Sequence, residues 1–154
     1  MFAHSKLQGE YAESCFVVEC LRRGFAVAKP YGDSTLYDLL VDSGARAHGD
    51  AGRISRVQVK SVSVCSPDGA YHLAVMRSVS CSKKAYHARD FDLLAAYLIP
   101  RDLWYIIPIA DVAGIKTIAL HPGRASRRLE RYREAWKLLK SGIPERLLGL
   151  GLTT

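Results

Sequence analysis

Two short segments decide the fold of this chain: residues 37–42, YDLLVD, and residues 56–61, RVQVKS. Both are rich in aliphatic and β-branched residues, and three glycines lie between them, which predicts two antiparallel strands joined by a long loop. Because side chains alternate between the two faces of a strand, Gln58 and Lys60 share one face. If the strands pair, Asp38 reaches that face from the neighbouring strand.

These three polar side chains have the chemistry of a magnesium site. A carboxylate and an amide oxygen are hard ligands, and Mg²⁺ is usually held by one or two carboxylates together with water and phosphate. A lysine beside such an ion positions or deprotonates a water molecule, or offsets charge on a phosphate. A structural interpretation competes with this one: Asp38 caps a strand end, and residues 58–60 form the solvated face of a half-buried strand.

The composition predicts one globular domain, residues 1–142, followed by a C-terminal tail, residues 143–154. The chain has 154 residues, 49% of them hydrophobic and 24% charged, which is enough for a core without disulfides. Lys and Arg exceed Asp and Glu by 22 − 15 = 7. This excess favours a polyanionic partner, although an acidic substrate or an anionic membrane surface would fit equally well.

The sequence predicts a cytoplasmic protein without a membrane span. No apolar run approaches the roughly 18 residues that cross a bilayer, and the first residues lack the apolar run of a signal peptide. The cysteines show no Cys-x-x-Cys spacing, so we expect reduced thiols rather than a disulfide or zinc framework. These are Cys15, Cys20, Cys65 and Cys81.

The first predicted element is a helix. Ser5 and Gln8 form a candidate capping box at its start, and Gly24 ends it. Glu13 lies on an apolar row of this helix and is expected to point toward the packed side, whereas Glu10 lies on the neighbouring row. A helix glutamate is more often solvated than functional.

Further strands are predicted at residues 25–28, 71–76, 91–99, 104–109 and 116–120. The run at 91–99 is apolar except for Asp92, which is typical of a central strand, and Pro108 places its strand at a sheet edge or ends its pairing early. Residues 80–89 are interpreted as one or two helical turns. Lys83 and Lys84 in this segment either contact phosphate or form a solvated face.

A basic helix is predicted from about Ser126, with an apolar row formed by Leu129, Tyr132, Trp136 and Leu139. Arg127, Arg128 and Arg131 lie opposite that row. Residues 121–140 contain seven Lys or Arg and two Glu, so 7 − 2 = +5 of the net charge lies here. This charge favours contact with nucleic-acid phosphates, as does the glycine-rich loop at 43–53. A charged outer face and a flexible hairpin tip are the structural alternatives.

The spaced set of residues resembles the PD-(D/E)XK endonuclease family, and within it the branch that includes intron-encoded homing enzymes of cyanobacteria. The first half is also similar to archaeal Holliday-junction resolvases. The residues that carry the resemblance are Gln8-Gly9 with Glu13, Gly24-Phe25 with Val27, Pro30 with Gly32-Asp33-Ser34, Tyr37-Asp38-Leu39, Gln58-Val59-Lys60, Tyr86, Phe91-Asp92-Leu93, Tyr97 and Trp104 to Pro108.

The resemblance implies an α/β fold of the restriction-endonuclease type, with a mixed four-stranded central sheet flanked by helices. It implies hydrolysis of DNA phosphodiester bonds with Mg²⁺, for which Mn²⁺ substitutes. Because cutting both strands needs two active centres, we expect a homodimer or homotetramer. A non-catalytic DNA-binding protein on the same fold and a Holliday-junction resolvase are the alternatives. A plain α/β domain with another acidic partner is a third possibility.

The resemblance also implies roles for individual residues. Asp38 is the carboxylate that holds magnesium, the Val59 carbonyl is a further ligand, and Lys60 activates water or balances charge. Glu13 supplies the helix carboxylate. Gln58 stands where the family usually has Glu or Asp, which removes a charge and should lower metal affinity, although the homing branch is similar in having Gln there.

Overall fold

The structure is a computed structural model and describes residues 4–32, 34–44 and 52–141. The loop tip at 45–51 and the predicted tail at 143–154 lie outside the described residues. The helices are α1 (Ser5–Arg22) and α2 (Lys137–Ser141), with 3₁₀ turns at Ile99–Arg101, Ile109–Asp111 and Arg128–Tyr132. The strands are β1 (Ala26–Ala28), β2 (Leu39–Asp42), β3 (Ile54–Val62), β4 (Tyr71–Ala74), β5 (Met76–Val79), β6 (Ser82–Ala85), β7 (Leu93–Leu98), β8 (Leu103–Pro108) and β9 (Thr117–Leu120).

The predicted mixed central sheet is confirmed. Its order is β1-β2-β3-β7-β8, so it has five strands where the resemblance implied four. β3 and β7 run parallel in the middle of the sheet, and the other neighbours run antiparallel. All six residues of β7 are buried, as predicted from its apolar run, and β8, which ends at Pro108, is an edge strand.

The predicted hairpin of β2 and β3 is also confirmed. Leu39 pairs with Val57, and the backbone N–H of Asp38 donates to the Val57 carbonyl at 2.9 Å, which extends the pairing by one residue. Gly44 and Gly52 approach each other at the base of the connecting loop. A Cβ atom on Gly44 would lie 1.8 Å from the Gly52 Cα, so only glycine fits this crossing.

Helix α1 packs on the sheet through its buried residues Ala12, Phe16 and Cys20. It ends at Arg22, and the predicted stop residue Gly24 follows the C-cap with a φ of 77°, in the left-handed region. The predicted capping box at the start of the helix is wrong. The N-cap residue is His4, without a side-chain cap, and Gln8 is drawn away because its amide bonds the polar end of β3.

The predicted single basic helix after residue 126 consists instead of a 3₁₀ turn and the short α2. Between them, Arg133 adopts an extended conformation and forms a β-bridge with Tyr105. The Glu134 N–H donates to the Trp104 carbonyl at 2.9 Å, and the Glu134 carboxylate accepts from the Trp104 N–H at 2.7 Å. The free edge of β8 therefore pairs with the backbone of residues 133–134, which a continuous helix would need for its own hydrogen bonds. The predicted apolar row is nevertheless buried, and Trp136 stacks on Phe16.

The expected helical turns at 80–89 are wrong, because residues 82–85 form β6, which pairs with β5. Ser80 begins the connecting two-residue turn with a φ of 52°, as tight hairpins require. The predicted strand at 71–76 breaks at Val75, and its first part pairs with β9. All four cysteines are free. No helix within the described ranges is both long and apolar enough to span a bilayer.

Candidate active site

A cavity of about 400 Å³ lies between α1, β3 and the β5–β6 hairpin. Its lining includes five side chains or backbone groups that the sequence analysis selected: Glu13, Asp38, Gln58, Val59 and Lys60. These residues come from a helix, a strand entry and a neighbouring strand. The structure therefore brings together groups that are up to 47 positions apart in the chain.

Asp38 is held directly beside Gln58. Its Oδ2 atom accepts hydrogen bonds from the Gln58 Nε2 atom at 2.6 Å and from the Val59 backbone N–H at 2.8 Å. Both donors lie on β3, and the backbone pairing that runs one residue past Leu39 sets their position. None of the described residues hydrogen-bonds the Oδ1 atom of Asp38 or the side-chain oxygen of Gln58, so both oxygens could serve as ligands.

Burial shifts the pKa values of Asp38 and Lys60. Burial raises the pKa of Asp38, and the nearby Glu13 carboxylate adds to this effect, although the Val59 N–H and Lys60 oppose it. Burial lowers the pKa of Lys60, and the attraction of Asp38 and Glu13 offsets this only in part. Each group is thus pushed toward its neutral form. A bound cation would favour the charged form of the two carboxylates.

Glu13 reaches the cavity from α1 and is paired with a residue that the sequence analysis missed. The Lys29 ammonium lies 2.7 Å from the Glu13 Oε2 atom. This contact raises the pKa of Lys29, mainly through the hydrogen bond to Glu13. Lys29 follows β1 directly, but nothing in its sequence neighbourhood indicates a partner on the preceding helix.

The oxygen atoms in the cavity suit a hard divalent cation. Two carboxylates, Glu13 and Asp38, combine with the neutral oxygens of Gln58 and Val59, which is the ligand chemistry that Mg²⁺ takes. Across residues 4–32, 34–44 and 52–141, no three His, Cys, Asp or Glu side chains form a metal cluster. This donor set fits Mg²⁺. Because it contains only two carboxylates, a phosphate or water oxygen would complete the coordination of the ion.

The helix side of the cavity is shaped by Gln8 and Gly9. The Gln8 amide donates to the Ser61 hydroxyl at 3.2 Å and accepts from the Ser63 hydroxyl at 3.1 Å. Gly9 also lines the cavity, and a Cβ atom there would meet no atom within 4 Å. The helix surface therefore leaves the cavity open at Gly9. The predicted capping box gave Gln8 a different role and so did not indicate this feature.

Tyr86 lies behind Lys60. Its ring centroid is 5.9 Å from the Lys60 ammonium, and burial raises the pKa of Tyr86 to about 12. In the sequence, only the family resemblance marks this residue. Its contact with Lys60 depends on the strand order, since β3 and the chain after β6 are distant in sequence.

The basic residues that were predicted to bind nucleic acid separate into two groups. Lys83 lines the cavity, and Lys84 follows it on the same strand. Arg127, Arg128 and Arg131 are absent from the lining of this cavity. Arg128 and Arg131 lie 2.6 Å and 3.5 Å from Asp111 Oδ1, so both are already paired with a carboxylate.

Comparison with known proteins identifies the family. A family model described as PD-(D/E)XK endonuclease matches residues 3–139. The structure is similar to that of a bacterial homing endonuclease, with a TM-score of 0.74 and 28% sequence identity over 89% of this chain and 93% of that chain. No curated protein matches the chain. Since the family match spans most of the sequence and the fold agrees with it, this chain belongs to the PD-(D/E)XK endonuclease family.

Proposed function

We propose that this protein is a divalent-metal-dependent DNA endonuclease whose active site is the cavity that contains Glu13, Asp38, Gln58, Val59 and Lys60. Membership of a nuclease family supports hydrolysis of DNA. The observation that carries the assignment to this cavity is that two carboxylates and a half-buried lysine share it. Mg²⁺ is the expected ion, and Mn²⁺ is expected to substitute.

When bound, the divalent ion would act as a Lewis acid that stabilises charge on the phosphate and lowers the pKa of a water molecule. The residues that would hold it are Asp38, Glu13, the Gln58 side-chain oxygen and the Val59 carbonyl. The remaining chemistry belongs to Lys60. Because burial lowers its pKa, Lys60 gives up a proton more readily than a solvated lysine, and it can take part in proton transfer with a water beside the phosphate.

We further propose that the protein cuts duplex DNA at a defined site as an assembly of two or four copies. Its structural neighbour is a homing endonuclease, which supports a site-specific duplex substrate. The cavity supplies one set of ligands per chain, so a second copy must supply the centre that cuts the other strand. A resolvase would act in the same way on branched DNA.

A cleavage assay tests the proposal. Linear, supercoiled, single-stranded and four-way-junction DNA are incubated with and without Mg²⁺. Asp38→Ala and Lys60→Ala should each lower the cleavage rate by at least about 10²-fold, as the loss of a transition-state contact does. Asp42→Ala is a matched control, because Asp42 ends the strand that Asp38 precedes and is absent from the cavity lining, and it should keep activity. Full activity in Asp38→Ala would contradict the assignment.

A non-catalytic DNA-binding protein on the same fold is the second candidate. It is favoured by one observation, the neutral Gln58 beside Asp38, which leaves two carboxylates in the cavity. Calorimetry with Mg²⁺ and with Ca²⁺ separates the two functions. An endonuclease takes up the ion and loses that uptake in Asp38→Ala, whereas the binding protein shows no heat that depends on Asp38.

A further inference from the structure

The β5–β6 hairpin projects from the body of the protein. It forms a two-stranded sheet of its own, separate from the central sheet. Its flanking residues Val75 and Tyr86 are buried, but residues 78 and 80–84 are exposed. An isolated two-stranded ribbon is marginally stable and buries little apolar surface. Core packing therefore explains the root of this hairpin and leaves its outer part without a structural role.

The hairpin carries a net positive charge. Residues 76–85 contain Arg77, Lys83 and Lys84, three serines and no acidic residue. Arg77 is near Asp90, at 3.9 Å, but neither lysine forms an ion pair with any residue in the described parts of the chain. The two lysines of the hairpin thus present positive charge that no carboxylate of the described residues neutralises. Such a surface fits a polyanion rather than an apolar partner.

The root of the hairpin forms one wall of the candidate active site. The hairpin residues that line the cavity are Met76, Arg77, Ser78 and Lys83. Ser78 pairs directly with Lys83, so these two side chains share the face that looks into the cavity. The acidic groups Glu13 and Asp38, from α1 and the entry to β2, line the same cavity. A phosphate bound in this cavity would bring the flanking duplex alongside the hairpin.

The dimensions of the hairpin match a DNA groove. Each strand has four residues, which gives a length of about 13 Å, and paired strands lie about 5 Å apart. The major groove of B-DNA is about 12 Å wide and 8.5 Å deep and admits a two-stranded ribbon. The turn at Ser80 and Cys81 is therefore able to reach base edges from a position next to the cavity.

We propose that the β5–β6 hairpin is a DNA-contacting arm that enters the major groove beside the phosphate to be cut. Lys83 and Lys84 contact the phosphate backbone of the duplex, and the turn lies against the bases. The inference rests on the proposed function in one respect, since it requires DNA to occupy the cavity. It replaces the loop at 43–53 and the basic C-terminal region as the main source of DNA contacts.

The cysteines of the wild-type chain provide a direct test. Cys81 lies in the exposed turn of the arm, and the exposed Cys65 lies outside the cavity and serves as an internal control. Alkylation by iodoacetamide is followed at each site by mass spectrometry, in EDTA so that no cleavage occurs. With duplex at about ten times its Kd, full occlusion should slow the Cys81 reaction roughly tenfold and leave Cys65 unchanged.

Groove-specific ligands sharpen this measurement. Methyl green, which occupies the major groove, should remove the protection of Cys81, whereas netropsin in the minor groove should leave it in place. Equal rates for Cys81 with and without duplex would overturn the proposal. Protection that only netropsin removes would overturn the assignment to the major groove.

Charge variants give an independent readout. Lys83→Ala with Lys84→Ala should reduce the slope of log K against log[salt] by about 1.8, which is 0.9 for each lost phosphate contact. Lys116→Ala is the control, because Lys116 is exposed and absent from the cavity lining. An unchanged slope in the double variant contradicts the arm. A chain that shows these binding effects but cleaves no DNA would refute the proposed enzyme and keep the arm.

Discussion

The Gln58 amide nitrogen lies 2.6 Å from the Asp38 Oδ2 atom, so the residue that replaces a family carboxylate donates a hydrogen bond to the carboxylate that remains. A second carboxylate at this position would repel Asp38 in the absence of a cation. Glutamine relieves that repulsion and stabilises the unliganded protein. The same exchange removes one negative charge from the candidate metal site.

Asp38→Asn should stabilise the metal-free protein at neutral pH while lowering cleavage by at least about 10²-fold. Asn keeps an oxygen that accepts from Gln58 and Val59 but carries no charge. Because the folded pKa of Asp38 is raised, its contribution to stability is present below the ordinary value of 3.8 and is lost as pH rises through the folded pKa. The Asn variant does not lose this stability, because its side chain does not titrate.

Urea titrations between pH 3 and pH 8 check this prediction. The free energy of unfolding of the variant should exceed that of the wild type at pH 7, and the difference should vanish as the pH falls below about 4. A variant that is less stable at pH 7 would mean that the Asp38 charge stabilises the fold.

Gln58→Glu should strengthen metal binding and lower the free energy of unfolding of the metal-free protein. The substitution removes the hydrogen bond to Asp38 and places two carboxylates in contact, which should cost about 1–3 kcal/mol of unfolding free energy. Thermal unfolding with and without MgCl₂ measures both effects. The rise in Tm caused by Mg²⁺ should be larger than in the wild type, and an equal rise would argue against a metal site at Gln58.

Lys29→Met should increase the affinity for Mg²⁺, because it releases the Glu13 carboxylate from its ion pair. The Lys29 side chain is 68% exposed, so the pair should contribute no more than about 0.5 kcal/mol to stability. Isothermal calorimetry measures the affinity. Arg22→Met, which breaks the pair with Glu19 on the same helix, is the matched control and should leave Mg²⁺ binding unchanged.

Gly9→Ala should stabilise the protein by about 0.5–1 kcal/mol, since glycine disfavours a helix interior and a Cβ atom there meets open space. Gly9→Leu should instead lower kcat/KM for DNA, because the larger side chain fills the cavity where the DNA backbone would approach. Chemical denaturation and cleavage kinetics measure the two effects. Cleavage by Gly9→Leu at the wild-type rate would indicate that the DNA does not pass α1 at Gly9.

Arg128→Ala should reduce stability by about 1 kcal/mol with little effect on DNA affinity, because Arg128 is bound to Asp111. Arg127 forms no ion pair with a described residue, so Arg127→Ala should show the larger effect on the salt dependence of binding. Filter binding at several salt concentrations compares the two variants. A steeper loss of affinity in Arg128→Ala would reverse this ranking.

Local pattern was sufficient for much of the fold. Strand alternation and the glycines predicted the β2–β3 hairpin, and the apolar run at 91–99 predicted the buried β7, because both signals depend on neighbours in the sequence. The spaced residues around Glu13, Asp38 and Lys60 indicated the family, since each occupies a fixed place in its order of elements. Their roles in metal binding and hydrolysis remain predictions.

Long-range geometry decided the rest. The free edge of β8 forms hydrogen bonds with Glu134, and these interrupt the helix predicted after residue 126, although its predicted apolar row is buried. Lys29 meets Glu13 because β1 returns alongside α1, and Gln8 leaves its expected cap because β3 ends within its reach. Sequence alone determined which residues are apolar or charged and in what local period. Only the tertiary structure determined their partners, since hydrogen bonds and ion pairs form between atoms that the fold brings close, whatever their separation along the chain.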